Sequence, residues 1–296
     1  MVLLSHLSRK VCGISFAVLV CFPVTASGEN SPNSTIRSNL QESRSKLKVS
    51  ANNIDFGTVF KELGVEGSII IYDASKNKLY EHNIPRNSKA FLPASTFKIL
   101  NTLVALETGV ISDEITIFTW DGIKRKFAGS EVNIWNRDTN LRQAFKNSTI
   151  WFYQVLARKI GRERMQKFIN KVDYGNQQIG TSENIDKFWL EGPLKITPKQ
   201  QIEFLQKLQS GKLPFSQRNL NLLKDIMIVE QTPNYTLRAK TGWVASKNPN
   251  TGWFVGYLEQ NNTVYFFATN INITNPKLAA ARIKITRRCL KILGLL

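Results

Sequence analysis

The chain has 296 residues, 42% of them hydrophobic, which suits one large domain or two smaller ones with a full core. Its formal net charge of +18 is spread along the sequence without a nucleic-acid motif, so a solvated basic surface is favoured over a nucleic-acid partner. His6 and His82 are the only histidines, and His6 lies in an N-terminal segment that we expect to be cleaved. The composition therefore argues against a metal site and leaves His82 as the one imidazole for a Ser-His-Asp triad.

The N-terminus has the parts of a secretory signal. Arg9 and Lys10 supply positive charge, Val11 to Phe22 form a short apolar stretch, and Val24-Thr25-Ala26 offers small residues for cleavage. We therefore predict a signal peptide over residues 1–26, export to the periplasm or the extracellular space, and no stable membrane span after processing. The alternative is an uncleaved N-terminal anchor.

Residues 27–50 are rich in Ser, Asn, Gln, Arg and Lys and contain little to bury, which predicts a disordered leader. Cys12 and Cys21 lie in the signal, so Cys289 is the only cysteine expected in the mature chain. An internal disulfide is excluded, as is common for an exported domain with a large core.

Two short strands are predicted next, Ser68 to Tyr72 and Leu79 to His82, and an apolar helix follows from Ser95 to Gly109. The pattern is mostly helical from Leu141 to Ser210 and β-rich after that. Strands are predicted at Thr236 to Val244, Thr251 to Gln260 and Thr263 to Ile271, with a final helix from Pro276 to Leu293.

This order predicts an α+β fold in which an antiparallel sheet from both chain ends is flanked by terminal helices and interrupted by an all-helical region. The sheet domain would comprise residues 51–90 and 215–296, and the helical domain residues 91–214. The active site is expected at the junction of the two domains, where clefts tend to form.

Ser95-Thr96-Phe97-Lys98 is the most informative motif. Residues i and i+3 share a helix face, so the Lys98 amine would lie beside the Ser95 hydroxyl and could take its proton. This Ser-x-x-Lys arrangement occurs in serine acyl-transfer enzymes that act on β-lactams. The alternative is a helix-capping serine with a solvated lysine.

Two further motifs follow in chain order. Ser148, in Ser148-Thr149-Ile150, is either a second hydroxyl that passes a proton to a leaving nitrogen or a helix N-cap. Lys240-Thr241-Gly242-Trp243 lies on a predicted edge-type strand, where Lys240 supplies positive charge and Thr241 can bind a substrate carboxylate. Gly242 would leave room for the ligand, and the N–H groups of Trp243 and Ser95 could form an oxyanion hole.

Together with Tyr174-Gly175-Asn176 and Trp189-Leu190-Glu191-Gly192, these motifs resemble the set found in class D (oxacillinase-type) serine β-lactamases. The resemblance implies the serine β-lactamase and penicillin-binding transpeptidase fold, a β-lactam substrate and no separate cofactor. It also implies that CO2 forms a carbamate on Lys98, which acts as general base in acylation and deacylation. Burial and the charge of Lys240 would favour the neutral amine that this reaction requires.

The resemblance further assigns the carbamate's support to Trp189, through its indole N–H, and to the pocket-lining Ile150. Arg282 matches the arginine that binds the substrate carboxylate, although a solvated helix arginine is the alternative. Ile150 stands where the family has valine, and the extra methylene could restrict water or CO2 near Lys98. The sequence makes no prediction of oligomeric state or of which β-lactams are preferred.

Three other functions remain open at this point. A non-hydrolysing β-lactam sensor would share the motifs but normally carries a multi-span membrane region. A peptidoglycan DD-peptidase would share Ser-x-x-Lys and Lys-Thr-Gly, but Ser148-x-Ile in place of Ser-x-Asn argues against it. A protein-interaction domain would use the basic surface and leave Ser95 catalytically silent.

Overall fold

The computed structural model describes residues 54–245 and 250–296. The predicted signal peptide and leader lie outside these residues. Ten strands and the helices between them follow in chain order: α1 Gly57–Glu62, β1 Gly67–Asp73, β2 Lys78–His82, α2 Ile84–Asn87, α3 Lys98–Glu107, β3 Ile117–Phe118, β4 Lys126–Phe127, β5 Ser130–Glu131, β6 Thr139–Asn140, α4 Leu141–Asn147, α5 Ile150–Ile160, α6 Arg162–Val172, α7 Pro198–Gln209, α8 Gln217–Ile226, β7 Ile228–Gln231, β8 Thr236–Val244, β9 Asn250–Gln260, β10 Thr263–Ile273 and α9 Ala281–Ile292.

The main sheet has six antiparallel strands in the order β2-β1-β10-β9-β8-β7. Strands from both ends of the described chain therefore meet in one sheet, as the sequence predicts. Asn261 and Asn262 turn the chain between β9 and β10 with φ angles of 48° and 59°. Asparagine tolerates this left-handed geometry well, so the β9–β10 hairpin is tight.

Helices cover both faces of the sheet, which explains why the strands are apolar on both sides. In β1, the Ile70 side chain joins the core formed with the helical region, whereas Ile69 and Ile71 join the core formed with α1 and α9. Successive strand residues point to opposite faces, so one run of isoleucines serves two cores. The predicted α+β fold with an antiparallel sheet, terminal helices and an intervening helical region is confirmed.

The region after residue 210 differs from the prediction, because α8 precedes the strands there. Leu220, Leu223 and Ile226 recur at helical spacing and are buried, but the helix has only 10 residues and follows Gly211 and Pro214, which are typical of a loop. The division into a discontinuous sheet domain and a helical domain stays a prediction. Within residues 54–245 and 250–296, no helix has the length and apolar character needed to cross a bilayer.

Candidate active site

Ser95 lies in a short 3₁₀ helix, Ala94–Phe97, that leads directly into α3. Ala94 has a φ of +49°, a conformation that is unfavourable for a residue with a Cβ, and its N–H donates to the Trp189 carbonyl at 2.9 Å. The N-cap of this turn is Pro93. Ser95 is therefore not the capping residue, and its side chain stays available although the residue is only 8% exposed.

Lys98 is fully buried, and its Nζ lies 2.6 Å from Ser95 Oγ. The amine also lies 5.3 Å from the centre of the Tyr153 ring. Burial, followed by the positive charge of Lys240, holds the pKa of Lys98 well below its usual value. The alternative of a solvated lysine is wrong, since the structure places a dry amine against the serine hydroxyl.

Ser148 and Lys240 form a second serine–lysine pair. Ser148 adopts a left-handed φ of 58° between α4 and α5, and its Oγ accepts a hydrogen bond from Lys240 Nζ at 2.9 Å. The N-cap of α5 is Thr149, so the capping interpretation of Ser148 is wrong. Burial and the charge of Arg282 lower the pKa of Lys240 to about 7, so this amine can gain or lose a proton near neutral pH.

The strand that carries Lys240 is open on one side at the cleft. Strand β7 pairs with β8 only as far as Arg238, so among the described residues Lys240 to Val244 have β9 as their sole strand partner. The edge-type prediction therefore holds for this half of β8. A Cβ on Gly242 would lie 3.0 Å from the Pro93 carbonyl and 3.1 Å from Thr96 Cγ2. The glycine thus allows the strand to approach the Ser95 turn closely.

A cleft of about 110 Å³ brings most of the predicted site residues together. It is lined by Ser95, Ser148, Ile150, Thr241, Gly242, Trp243 and Arg282. Sequence reasoning missed two further lining residues, Phe127 and Trp135. Phe127 meets Trp243 edge-to-face with ring centres 5.1 Å apart. Phe127 lies in the β4–β5 hairpin, whose two-residue strands carry no clear sequence pattern.

Arg282 extends from the first turn of α9 into this cleft. Its Nη1 donates to the Ala279 carbonyl, and its Nε has no hydrogen-bond partner within the described ranges. Burial lowers the pKa of the guanidinium to about 10, so it stays charged at neutral pH. The solvated-arginine alternative is therefore wrong, and a positive charge faces the same space as Ser95 and Thr241.

Trp189 is buried beneath the Ser95 turn, where its ring stacks on Phe97 with centres 5.5 Å apart. Its Nε1–H is buried and has no hydrogen-bond acceptor among residues 54–245 and 250–296. Buried indole N–H groups normally have a partner. The orphaned donor therefore fits an additional acceptor in this part of the site.

The Tyr174-Gly175-Asn176 motif fixes the loop that carries Trp189. Gly175 has a φ of +59°, and a Cβ there would lie only 2.1 Å from the Lys195 carbonyl oxygen. The Asn176 side chain accepts from the Lys195 N–H and donates to the Pro193 carbonyl, both at 2.9 Å. The motif thus positions the chain that follows Trp189.

His82 does not contribute to this site. It ends β2, at the sheet edge opposite β7 and β8, and its ring stacks on Phe60 with centres 4.5 Å apart. Among the residues that the structure describes, no cluster of histidine, cysteine and acidic side chains is arranged to hold a metal ion.

Comparisons with known proteins show which family the chain resembles. Residues 67–291 match the penicillin-binding protein transpeptidase domain. The chain is 41% identical to β-lactamase OXA-48 from Klebsiella pneumoniae over 239 residues, which is 81% of this chain and 88% of that protein. It is 38% identical to β-lactamase OXA-10 from Pseudomonas aeruginosa over 247 residues, covering 82% and 90% of the two chains.

A solved structure of the class D β-lactamase YbXI from Nostoc superimposes with a TM-score of 0.79 at 68% identity, covering 82% of this chain and 99% of that one. The class D β-lactamase FUS-1 from Fusobacterium nucleatum superimposes with a TM-score of 0.76 at 39% identity, covering 81% and 98%. Since the family match, the curated relatives and the solved structures all agree, the chain belongs to the class D serine β-lactamases.

Proposed function

We propose that this enzyme opens the β-lactam amide through an acyl-enzyme on Ser95, with Lys98 as the base. The supporting observation is the 2.6 Å separation between Lys98 Nζ and Ser95 Oγ in a buried setting. Burial and the charge of Lys240 hold the pKa of Lys98 well below its usual value, which favours the neutral amine that reacts with CO2.

The residues around Lys98 fit a carbamate on this amine. Trp189 offers a buried N–H without an acceptor within the described ranges, and Ile150 supplies an apolar wall of the cleft. When formed, the carbamate would supply a carboxylate base that takes the Ser95 proton in acylation and activates water in deacylation. Trp189 and Ile150 would hold this group and limit its hydration.

The other residues take roles that follow from their positions. Ser95 Oγ forms the bond to the lactam carbonyl carbon, and the N–H groups of Ser95 and Trp243 stabilise the oxyanion. As the carbon–nitrogen bond breaks, Ser148 gives its proton to the nitrogen and regains one from Lys240, 2.9 Å away. Water then hydrolyses the ester and restores Ser95.

Substrate binding uses residues 240–244 of β8, which have no strand partner on one side among the described residues, and the part of the cleft that Arg282 lines. We infer that Thr241 and Arg282 bind the substrate carboxylate, because both line the cleft and Arg282 has a free Nε–H among its described contacts. Gly242 keeps the strand close enough to Ser95 for both contacts to reach one ligand. The substrate is a small-molecule β-lactam, with no nucleic-acid partner.

Export completes the proposal. Residues 1–26 would be a cleaved signal peptide that directs the enzyme to the periplasm or outside the cell, and residues 27–50 would be a disordered leader. The mature enzyme would have no stable membrane span, and its active site would lie where the sheet domain (51–90, 215–296) meets the helical domain (91–214).

Intact-mass measurement with a penicillin, with and without bicarbonate, tests the mechanism. We expect a transient adduct on Ser95, a CO2 increment on Lys98, and nitrocefin turnover that bicarbonate stimulates. Full turnover by Ser95→Ala would contradict the nucleophile assignment. A lasting adduct without turnover would instead indicate a non-hydrolysing sensor.

A further inference from the structure

A buried amide on α7 contacts the turn that carries the nucleophile. Gln201 is fully buried, and its Nε2 donates to Thr96 Oγ1 at 2.9 Å. The Thr96 hydroxyl in turn donates to the Pro93 carbonyl at 2.7 Å. Thr96 is the residue after Ser95, so α7 is tied to the nucleophile turn by a hydrogen bond between residues 105 positions apart.

The turn needs such a tie because it is strained. Ala94, the residue before Ser95, has a φ of +49°, and strained residues of this kind persist only where their surroundings hold them. The Ala94 N–H is held by the Trp189 carbonyl at 2.9 Å. Ser95 therefore lies between two fixed points, one at Ala94 and one at Thr96.

The Gln201 amide lies in a buried polar cluster with Thr96 and Tyr174. Its Oε1 has no well-aligned hydrogen bond within the described ranges, and hydrogen bonding to Thr96 and Gln201 partly offsets the rise that burial causes in the pKa of the Tyr174 hydroxyl. The bond that Nε2 donates to Thr96 is the one well-formed hydrogen bond of the Gln201 side chain among the described residues.

We propose that Gln201 is a positioning residue, which keeps Ser95 Oγ aligned with Lys98 by holding Thr96 and the strained turn. The inference rests on the proposed role of Ser95 as nucleophile. Because misplacement of a reacting group by about 1 Å can cost about 100-fold in rate, the loss of this tie acts on the chemical step rather than on substrate binding.

The test compares Gln201→Leu with a matched control, Asn219→Leu, in single-turnover acylation by nitrocefin. Asn219 is also a buried amide whose carbonyl oxygen lacks a partner within the described ranges, but its Nδ2 donates to Glu107, at the far end of α3 from Lys98. We expect Gln201→Leu to slow acylation at least about tenfold while the substrate dissociation constant changes less than about twofold. Asn219→Leu should change neither.

Two further variants separate positioning from folding. Ala94→Gly in the Gln201→Leu background removes the strain. We therefore expect the double variant to be acylated at least about threefold faster than Gln201→Leu alone. If Gln201→Leu does not fold, Thr96→Val should show the same slow acylation, with Thr96→Ser at the wild-type rate.

Wild-type acylation by folded Gln201→Leu would overturn the inference, as would a defect that Ala94→Gly leaves unchanged or a Thr96→Val variant as fast as wild type. Turnover by Ser95→Ala would instead refute the proposed function, so the two failures are distinguishable.

Discussion

Replacing Trp189 by phenylalanine removes one N–H and keeps an aromatic ring against Phe97. In the described structure this N–H is buried without an acceptor, whereas the Trp253 N–H donates to the Leu92 carbonyl at 2.9 Å. If Trp189 holds a carbamate on Lys98, Trp189→Phe weakens the carbamate. Trp253→Phe is the matched control, because it removes a hydrogen bond that the fold itself already makes.

The expected effect is large. A hydrogen bond to a charged group contributes about 1.5–3 kcal/mol, and each 1.4 kcal/mol is about tenfold in an equilibrium constant. The bicarbonate concentration that gives half-maximal nitrocefin turnover should therefore rise by about 10- to 150-fold in Trp189→Phe. It should stay unchanged in Trp253→Phe, while the thermal stability of that control falls.

Nitrocefin turnover across a bicarbonate titration, after removal of dissolved CO2, measures this directly. Thermal unfolding in bicarbonate-free buffer is the companion measurement. In that buffer, Trp189→Phe removes a buried N–H that has no acceptor, and this gain in stability partly offsets the packing lost with the larger ring. Trp189→Phe should therefore be less destabilised than Trp253→Phe. A titration curve for Trp189→Phe that overlays the wild-type curve would refute the reasoning.

Three other expectations concern protonation, backbone strain and proton transfer. Burial and the charge of Arg282 lower the pKa of Lys240 from 10.5 to about 7, so between those pH values the unfolded chain binds a proton that the folded chain does not. Lys240 should therefore add up to about 1.4 kcal/mol per pH unit to the free energy of unfolding in this range, and Lys240→Met should reduce the rise measured by urea unfolding. Gly175→Ala should destabilise by about 3 kcal/mol or more, because its Cβ meets the Lys195 carbonyl, whereas Gly64→Ala, with a similar φ of +60° and nothing within 4 Å, should cost about 1 kcal/mol in the same denaturation assay. Ser148→Ala should slow acylation by about 100-fold in stopped-flow measurements, and a wild-type rate would remove Ser148 from the proton path.

The strands near the site could be predicted well from local sequence. The local sequence predicts strand β8 from Thr236 to Val244, and the strand occupies those residues, with Leu237, Ala239 and Val244 buried. The Asn261-Asn262 turn then fixes the following hairpin. Local patterns succeed where local chemistry determines the structure.

The remaining features depend on contacts between distant parts of the chain. Phe127 lines the cleft because the β4–β5 hairpin places its ring against Trp243, and no spacing in the sequence indicates that contact. The sequence alone indicates that Gln201 is an ordinary polar residue of an amphipathic helix, and only the folded structure shows its hydrogen bond to Thr96. The sequence pattern does not predict helix α8, because the helix has only 10 residues and follows Gly211 and Pro214, which are typical of a loop.

Three basic residues, Lys98, Lys240 and Arg282, lie close enough in the site to affect one another's protonation. Burial and the charge of Lys240 lower the pKa of Lys98, and burial and the charge of Arg282 lower the pKa of Lys240 to about 7, so each cation favours deprotonation of the neighbouring amine. Each step costs folding free energy, since a buried lysine without a carboxylate partner is unfavourable. These shifts favour the neutral amine at Lys98, give Lys240 a near-neutral pKa and leave a cation at Arg282. An acidic partner beside Lys98 would stabilise the fold but would restore the ammonium form, which can neither accept the Ser95 proton nor react with CO2.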